Sequence, residues 1–280
     1  MPSNQPPSQD QISEPGHLAR LSRVYSRATW DVYELLDQSL DPRSPDWLQQ
    51  RAGEYLKPGN TILDAGCRDA AYLIELAQAH DITGVGIEPV AIHVEWARAA
   101  VTAAGLDERL QIIQGGMENC AYPDGHFDFI WCRDVLEQVE PLVPAMREAA
   151  RVLKPSGRML VFTTVTTDLL EPGEAAMLRR HQGNVAANLS ESTITAAFDA
   201  AGLVVEDRDV IGTEWREYAE ERHQPVSHAL LQLARLRRQR EAIVADHGED
   251  IYLHIEANLH WEAFQLLAKL QPVVYVLRHQ

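Results

Sequence analysis

The chain has 280 residues, of which 45% are hydrophobic, and this predicts a globular protein built as one large α/β domain with an appended lobe or as two small domains. Its net charge of −16 argues against a nucleic-acid-binding function, because neutralising phosphates needs a basic surface. No apolar run is long enough to span a membrane, and the start lacks the apolar segment of a signal peptide, so we expect a cytoplasmic protein.

The N-terminal part divides into a polar tail and a helical region. Residues 1–15 contain four prolines and little to bury, which predicts disorder. Apolar residues at three- and four-residue intervals over 18–36 predict one amphipathic helix, and a second helix is predicted over 44–56. Because both helices precede the first strand, residues 16–58 are expected to form a lid over its ligand-binding edge.

Residues 59–212 alternate strands and helices at the spacing of a doubly wound parallel sheet. The first strand runs from Thr61 into a turn at Gly66, and five more strands follow. These are predicted at 83–87, 110–114, 127–132, 158–165 and 203–211.

The remaining chain predicts a helical insertion over 213–271, with long helices at 225–246 and 251–270, and a last strand in 272–280. The insertion could serve as a substrate cap or as an oligomer contact. The predicted fold is therefore an α/β, doubly wound, seven-stranded, mostly parallel sheet with N-terminal helices and a helical insertion before the last strand.

Five motifs follow one another in the predicted core. They are Asp64-x-Gly66-x-Arg68-x-Ala70, Glu88, Gly115-Gly116-Met117, the stretch 127–139 and the stretch 151–157. Together they resemble the class I S-adenosylmethionine-dependent methyltransferases, closest to the ubiquinone and menaquinone biosynthesis enzymes and the natural-product methyltransferases. The resemblance covers about 60–211 and the final strand, and it implies S-adenosylmethionine as cofactor and a small-molecule acceptor.

The position of Glu88 predicts a role in cofactor binding independently of the resemblance. In doubly wound folds, a carboxylate about 20 residues beyond the glycine turn, at the end of the second strand, accepts hydrogen bonds from a ribose diol. The resemblance further implies that Asp64 reaches the amino acid end of the cofactor and that Gly116 and Met117 lie beside the adenine. The predicted cofactor-binding residues are Asp64, Gly66, Cys67, Arg68, Glu88, Pro89, Gly116, Met117, Glu118, Arg133 and Val135.

Three positions depart from the family pattern. Arg68 and Ala70 stand where glycines are usual, and a positive φ at Arg68 would cost about 1 kcal/mol. The Arg68 guanidinium could pair with the cofactor carboxylate, with Asp69 or Glu88, or point to solvent. Gly116 replaces the usual acidic residue beside the adenine, so that Glu118 or another acceptor would have to bind the adenine amine.

Methyl transfer requires little of the protein beyond positioning, and a base is needed only if the acceptor loses a proton. The sequence therefore gives little basis for assigning catalytic residues; Glu137 and His181 are candidates, although a role as capping or surface residues is favoured for each. The candidate substrate contacts are Tyr25, Trp30, Gln138, Trp215 and Tyr218, each of which could instead serve packing. Whether carbon, oxygen or nitrogen is methylated stays open.

Two alternatives belong to other functional classes. A dinucleotide-binding oxidoreductase would need glycines where this chain has Arg68 and Ala71, which argues against it. A methyltransferase fold that binds the cofactor without methylating is the stronger rival. The three cysteines lack metal-ligand spacing, so no metal site is expected, and the surplus apolar helices would suit a homo-oligomer.

Overall fold

The computed structural model describes residues 17–39 and 41–280, and the chain forms two compact units, Met1–Pro42 and Arg43–Gln280. The predicted disordered tail, residues 1–15, lies outside the described residues. In the first unit, α1 spans His17–Val24 and α2 spans Arg27–Leu36.

The prediction of a single helix over 18–36 is wrong, because the chain breaks between α1 and α2. Ser26 is extended, with φ −86° and ψ 168°, at the position before α2 where serine is favoured. The Thr29 hydroxyl donates to the Val24 carbonyl at 2.5 Å. In a continuous helix, a backbone N–H would donate to this carbonyl instead. The role of these helices as a lid stays a prediction.

The second unit is built on a seven-stranded sheet in the order β3-β2-β1-β4-β5-β7-β6. Its strands are β1 Asn60–Ala65, β2 Ile82–Glu88, β3 Leu110–Gln114, β4 Phe127–Arg133, β5 Leu153–Thr166, β6 Leu203–Val210 and β7 Leu270–His279. Strands β1 to β5 pair in parallel, whereas β7 is antiparallel to both of its neighbours. The predicted doubly wound, mostly parallel seven-stranded sheet is confirmed.

Helices cover both faces of the sheet, as the alternating side chains of the strands require. Ile62 and Leu63, adjacent on β1, are both fully buried but belong to different apolar clusters, one on each face. The helices of this unit are α3 Asp46–Gly53, α4 Ala71–Ala79, α5 Ala91–Ala103, α6 Leu142–Val152, α7 Pro172–His181, α8 Glu191–Ala200, α9 Glu214–His223, α10 Pro225–Arg238, α11 Arg240–His247 and α12 Glu249–Leu266.

Both helices predicted in the insertion between β6 and β7 differ from the structure in their bounds. The helix predicted over 225–246 breaks at Gln239, which lets Ile243 pack with α10 against the buried ring of Tyr252. The helix predicted over 251–270 ends at Leu266, because Leu270 already pairs in the sheet. Helix α7, before β6, and helix α9 were not foreseen.

The two ends of the insertion lie next to each other, at the end of β6 and the start of β7. The Ile211 N–H, just after β6, donates to the Pro272 carbonyl on β7 at 3.0 Å. The insertion therefore leaves the sheet and returns to it between two hydrogen-bonded neighbouring strands. Across the described helices, none is both long and apolar enough to cross a bilayer.

The centre of the sheet sets the stability of the second unit. Leu160 on β5 is fully buried, so Leu160→Ala is expected to lower the free energy of unfolding by about 2–5 kcal/mol through lost burial and the cavity left behind. Leu230→Ala on α10 is the matched control, because that side chain is 51% exposed, and it should change stability by less than about 0.5 kcal/mol. Urea unfolding measures both, and equal effects would contradict this description of the core.

Candidate active site

The crevice at the carboxyl ends of β1 and β4 is where the chain order of the sheet reverses, which is the usual ligand position in doubly wound folds. Gly66 follows β1 with φ 81°, and Val135 follows β4. A Cβ added at Gly66 would overlap the Val135 side chain. Glycine is therefore required here for two reasons, the backbone conformation and the close approach of the second turn.

The turn after β1 is tied to the end of β2. The backbone N–H groups of Gly66 and Cys67 both donate to the Ile87 carbonyl, at 2.9 and 3.0 Å. The positive φ expected at Arg68 is present, at 48°, and Ala70 has φ 60°. Two residues thus occupy the left-handed region without being glycine, a strain of the kind found at binding sites.

Glu88, at the end of β2, connects several backbone groups of the crevice through its carboxylate. Its carboxylate accepts the backbone N–H of Arg68 at 3.0 Å and the N–H of Val90 at 3.0 Å, and His93 Nδ1 lies 3.2 Å from it. Glu88 is buried, with only 5% of the residue exposed. Neither Asp69 nor Glu88 pairs with the Arg68 guanidinium, which forms no ion pair with any described residue and faces a cavity.

Asp64 presents a buried carboxylate in need of a partner. It is 3% exposed, and its Oδ2 atom has no hydrogen-bond partner among the described residues. Burial, followed by the nearby Glu88 carboxylate, raises the pKa of Asp64 to about 8, although Arg133 opposes the shift. A cationic or hydrogen-bond-donating ligand would satisfy this oxygen, which fits the ammonium group of an amino acid.

The loop after β3 contains the residues expected beside the adenine. Met117 is buried, with 4% of its surface exposed, and the Glu118 carboxylate folds back against Gly116, where a Cβ would overlap it. A carboxylate thus lies beside the glycine that replaces the usual acidic residue. Pro89, after Glu88, is exposed, and its carbonyl accepts from Gln114 at 3.3 Å.

Burial raises the pKa of the Cys67 thiol above its ordinary range, and the sulfur packs against Gly86 of β2. The Cys67 side chain therefore faces the sheet, so any contact with a ligand would come from its backbone.

A cavity of about 490 Å³ opens beside this crevice, between the exit of β4 and the insertion. Five residues singled out from the sequence line it: Arg68, Arg133, Glu137, Gln138 and Trp215. The structure thus brings together candidates from the β1 turn, the β4 exit and the insertion.

An aromatic wall holds the Arg133 side chain on one side of the cavity. The Trp215 and Phe162 rings stack with centroids 4.8 Å apart and an interplanar angle of 6°. The Arg133 guanidinium lies 4.0 Å from the centroid of Tyr72 and 5.3 Å from that of Phe162. These cation–π contacts and an ion pair with Asp134 at 3.4 Å fix the charge at the cavity edge.

Glu137 lies at the floor of the cavity. Its Oε1 accepts from the Thr163 hydroxyl at 2.8 Å and from the Thr164 N–H at 2.5 Å, whereas Oε2 is buried without a partner in the described part of the chain. Burial, and next the Asp134 carboxylate, raises the pKa of Glu137 to about 7. Through these contacts with Thr163 and Thr164, the Glu137 carboxyl is attached to β5.

The sequence did not single out the polar wall that α12 contributes to the cavity. His254, Asn258 and Glu262 recur at every fourth position and line the cavity together. That spacing places the three side chains on one helix face. It is visible in the sequence and could have indicated that they form a common surface. The remaining lining residues missed from the sequence include Phe162, Gln182, Asn184, Arg216, Trp261 and Gln265.

Two predicted residues of the second unit, His181 and Tyr218, are not among those that line the cavity. The backbone carbonyl of His181 accepts from Nδ1 of His254, which does line the cavity, and the Tyr218 ring centroid lies 3.7 Å from the Arg222 guanidinium. In the first unit, Tyr25 lies between α1 and α2 with 69% exposure, and Trp30 on α2 is 55% exposed. Their roles in catalysis or substrate binding stay predictions. Within 17–39 and 41–280, no group of three or more His, Cys, Asp or Glu residues could hold a metal ion.

Residues 38–207 match the model of a methyltransferase domain. The chain belongs to this family. The methyltransferase similarity extends to 27-O-demethylrifamycin SV methyltransferase of Amycolatopsis mediterranei (strain S699), 29% identical over 171 residues, which are 59% of this chain and 63% of that protein. The mitochondrial ubiquinone biosynthesis O-methyltransferase of Schizosaccharomyces pombe is 34% identical over 113 residues, 40% of each chain.

The chain spans less than two thirds of the length of either curated methyltransferase. Among solved structures, the (4+2)-cyclase SpnF matches with a TM-score of 0.68 and 20% identity over 86% of this chain and 85% of that one, a likeness of fold. The resemblance of the sequence to class I S-adenosylmethionine-dependent methyltransferases is confirmed for the family and the fold.

The raised pKa of Asp64 predicts a pH-dependent stability of the ligand-free methyltransferase. The folded-state pKa exceeds the unfolded one, so the stability from the neutral form is complete below about pH 4 and is lost as pH rises through about 8. The stability of Asp64→Asn relative to wild type should therefore increase by up to about 1.4 kcal/mol per pH unit between pH 5 and 8. Urea unfolding at three pH values measures this, and a pH-independent difference would contradict it.

Proposed function

We propose that this protein transfers the methyl group of S-adenosylmethionine to a small-molecule acceptor, of the specialised natural-product or quinone- or terpenoid-like kind. The observation that carries the proposal is the buried Oδ2 of Asp64, which has no partner in the described part of the chain and lies beside Glu88 and Gly66 at the switch point of the sheet. A ligand with both an ammonium group and a ribose diol matches these two carboxylates. The family membership of the chain supports the same cofactor.

The residues present fit this cofactor. Asp64 would meet its amino group, Glu88 its ribose hydroxyls and Glu118 its adenine amine, while the cavity beyond Arg133 would receive the acceptor. Arg68 lines the cavity with a guanidinium that forms no ion pair with the described residues and is suited to a carboxylate. When bound, S-adenosylmethionine supplies an activated methyl group on a sulfonium.

The protein's own contribution is to hold the acceptor in line and to exclude water. The stacked Trp215 and Phe162 rings form a rigid apolar side, which suits a ring or an alkyl chain. Positioning of two reactants in this way can supply about 7–11 kcal/mol of the rate acceleration. A cytoplasmic location and self-association stay predictions.

A second candidate function is catalysis or binding without methyl transfer on the same fold. The likeness to the (4+2)-cyclase SpnF favours it, since a cavity of about 490 Å³ could hold a sizeable substrate beside a bound cofactor. Formation of S-adenosylhomocysteine in the presence of candidate acceptors separates the two. Tight cofactor binding with no turnover of any acceptor would favour the second.

Calorimetry with S-adenosylhomocysteine tests the cofactor site directly. Because Asp64 has a pKa of about 8 in the free protein, an ammonium ligand that binds its ionised form should release up to about one proton at pH 7. The affinity should accordingly rise between pH 6 and 8. The binding enthalpy should differ between phosphate and Tris buffers in wild type but not in Asp64→Asn, and absence of binding to wild type would overturn the proposed function.

Glu88→Ala is expected to weaken cofactor binding roughly 10- to 100-fold, since a charge-assisted pair to two hydroxyls contributes about 1.5–3 kcal/mol. The variant also loses the acceptor for the Arg68 and Val90 backbone N–H groups. Glu95→Ala on the exposed side of α5 is the control. Equal affinities of the two variants in calorimetry would exclude Glu88 from the site.

A further inference from the structure

A chain of side-chain amides joins the exit of β4 to α12 across the cavity. Gln138 Nε2 donates to the backbone carbonyl of Gln182 at 3.2 Å, and Gln182 Nε2 donates to Asn258 Oδ1 at 3.0 Å. Asn184 Nδ2 in turn donates to Gln182 Oε1 at 3.0 Å, which fixes the orientation of the Gln182 amide. The chain ends at His254, whose Nε2 lies 3.0 Å from Asn258 Nδ2.

The contacts of His254 determine which of its nitrogens carries a proton. Nδ1 lies 2.8 Å from the His181 carbonyl oxygen, which can only accept, so Nδ1 bears the hydrogen and donates it. In the neutral ring Nε2 then has the free lone pair. The Asn258 amide agrees with this, because its oxygen is occupied by Gln182 and its N–H therefore faces Nε2.

Two of the carboxylates that line the cavity are held in ion pairs. Glu262 is ion-paired with Arg216, and Asp134 is ion-paired with Arg133. Glu137 also lines the cavity; its Oε1 is bound by Thr163 and Thr164, and its Oε2 is buried without a hydrogen-bond partner among the described residues. His254 also lines the cavity, and in the neutral form of its ring the Nε2 lone pair accepts from Asn258.

We propose that Nε2 of His254 accepts the proton of an acceptor hydroxyl, which makes the substrate of this methyltransferase an alcohol or a phenol. This inference rests on the proposed function. The hydroxyl proton moves to Nε2, and the oxygen uses the electron pair of its broken O–H bond to form the bond to the methyl carbon. The electron pair of the broken methyl–sulfur bond stays on sulfur, so charge and atoms balance.

The surroundings of His254 suit this role. Asn258 is exposed, so its amide can turn away when a hydroxyl takes its place on Nε2. The bond to the His181 carbonyl remains and stabilises the imidazolium that forms. Trp215 and Trp261 line the same cavity and offer apolar surface to the body of the acceptor.

His254→Asn provides the sharpest test, because an asparagine amide can still donate to the His181 carbonyl but offers no basic nitrogen in place of Nε2. The probes are 1-naphthol, catechol and 4-hydroxybenzoate at millimolar concentration, with 1-naphthylamine for comparison. The kcat of the variant on the accepted hydroxyl probe should fall about 10²- to 10⁴-fold, with the S-adenosylhomocysteine affinity within twofold of wild type. Free imidazole should restore part of the rate of His254→Ala.

His260→Ala is the matched control. His260 lies on the same helix and its Nδ1 also contacts a carbonyl, that of Glu256 at 2.7 Å, but it does not line the cavity. Its activity should equal that of wild type. Thermal unfolding of all variants separates a fold defect from lost chemistry.

Three results would overturn the inference while leaving the proposed function in place. These are a His254→Asn rate within twofold of wild type, methylation by wild type of the amine or of carbon but of no hydroxyl probe, and an Nε2–H tautomer of His254 in ¹⁵N spectra of the full chain compared with His254→Asn. Failure of wild type to bind S-adenosylmethionine would instead contradict the proposed function itself.

Discussion

The close approach of Gly66 to Val135 is the constraint on which the site depends. It brings the turns after β1 and β4 together across the point where the sheet order reverses. Any side chain at position 66 would separate the two turns. The bonds from this turn to Ile87 and Glu88 then place the end of β2 against the same crevice, so that three strands share one ligand edge.

The crevice and the cavity differ in their electrostatics. The crevice holds buried carboxylates, Asp64 and Glu88, at the place where the proposed cofactor carries its ammonium and hydroxyl groups. The cavity is lined by arginine–carboxylate pairs, amides and aromatic rings. Because its charges are mostly compensated, the cavity suits a neutral acceptor, whereas the crevice requires a partly cationic ligand.

The sequence allowed prediction of the elements whose signals are local. Buried strands such as β1 and β4 are continuous apolar runs, and Glu88 could be located by its interval from Gly66. The polar wall of α12 was missed because nothing local to His254 indicates that the insertion folds back beside β4. Likewise, the break at Ser26 and the bend at Gln239 depend on a side-chain hydrogen bond and on packing against Tyr252, which periodicity does not show.

The bond between Ile211 and Pro272 has a consequence for how this protein could change over evolution. Helices α9 to α12 leave and re-enter the sheet at a single point, and the entropic cost of closing such a loop grows only with the logarithm of its length. The insertion could therefore lengthen, shorten or be exchanged without altering the register of β6 and β7. New acceptors could be acquired by replacing one wall of the cavity, while the crevice that serves the cofactor is inherited unchanged.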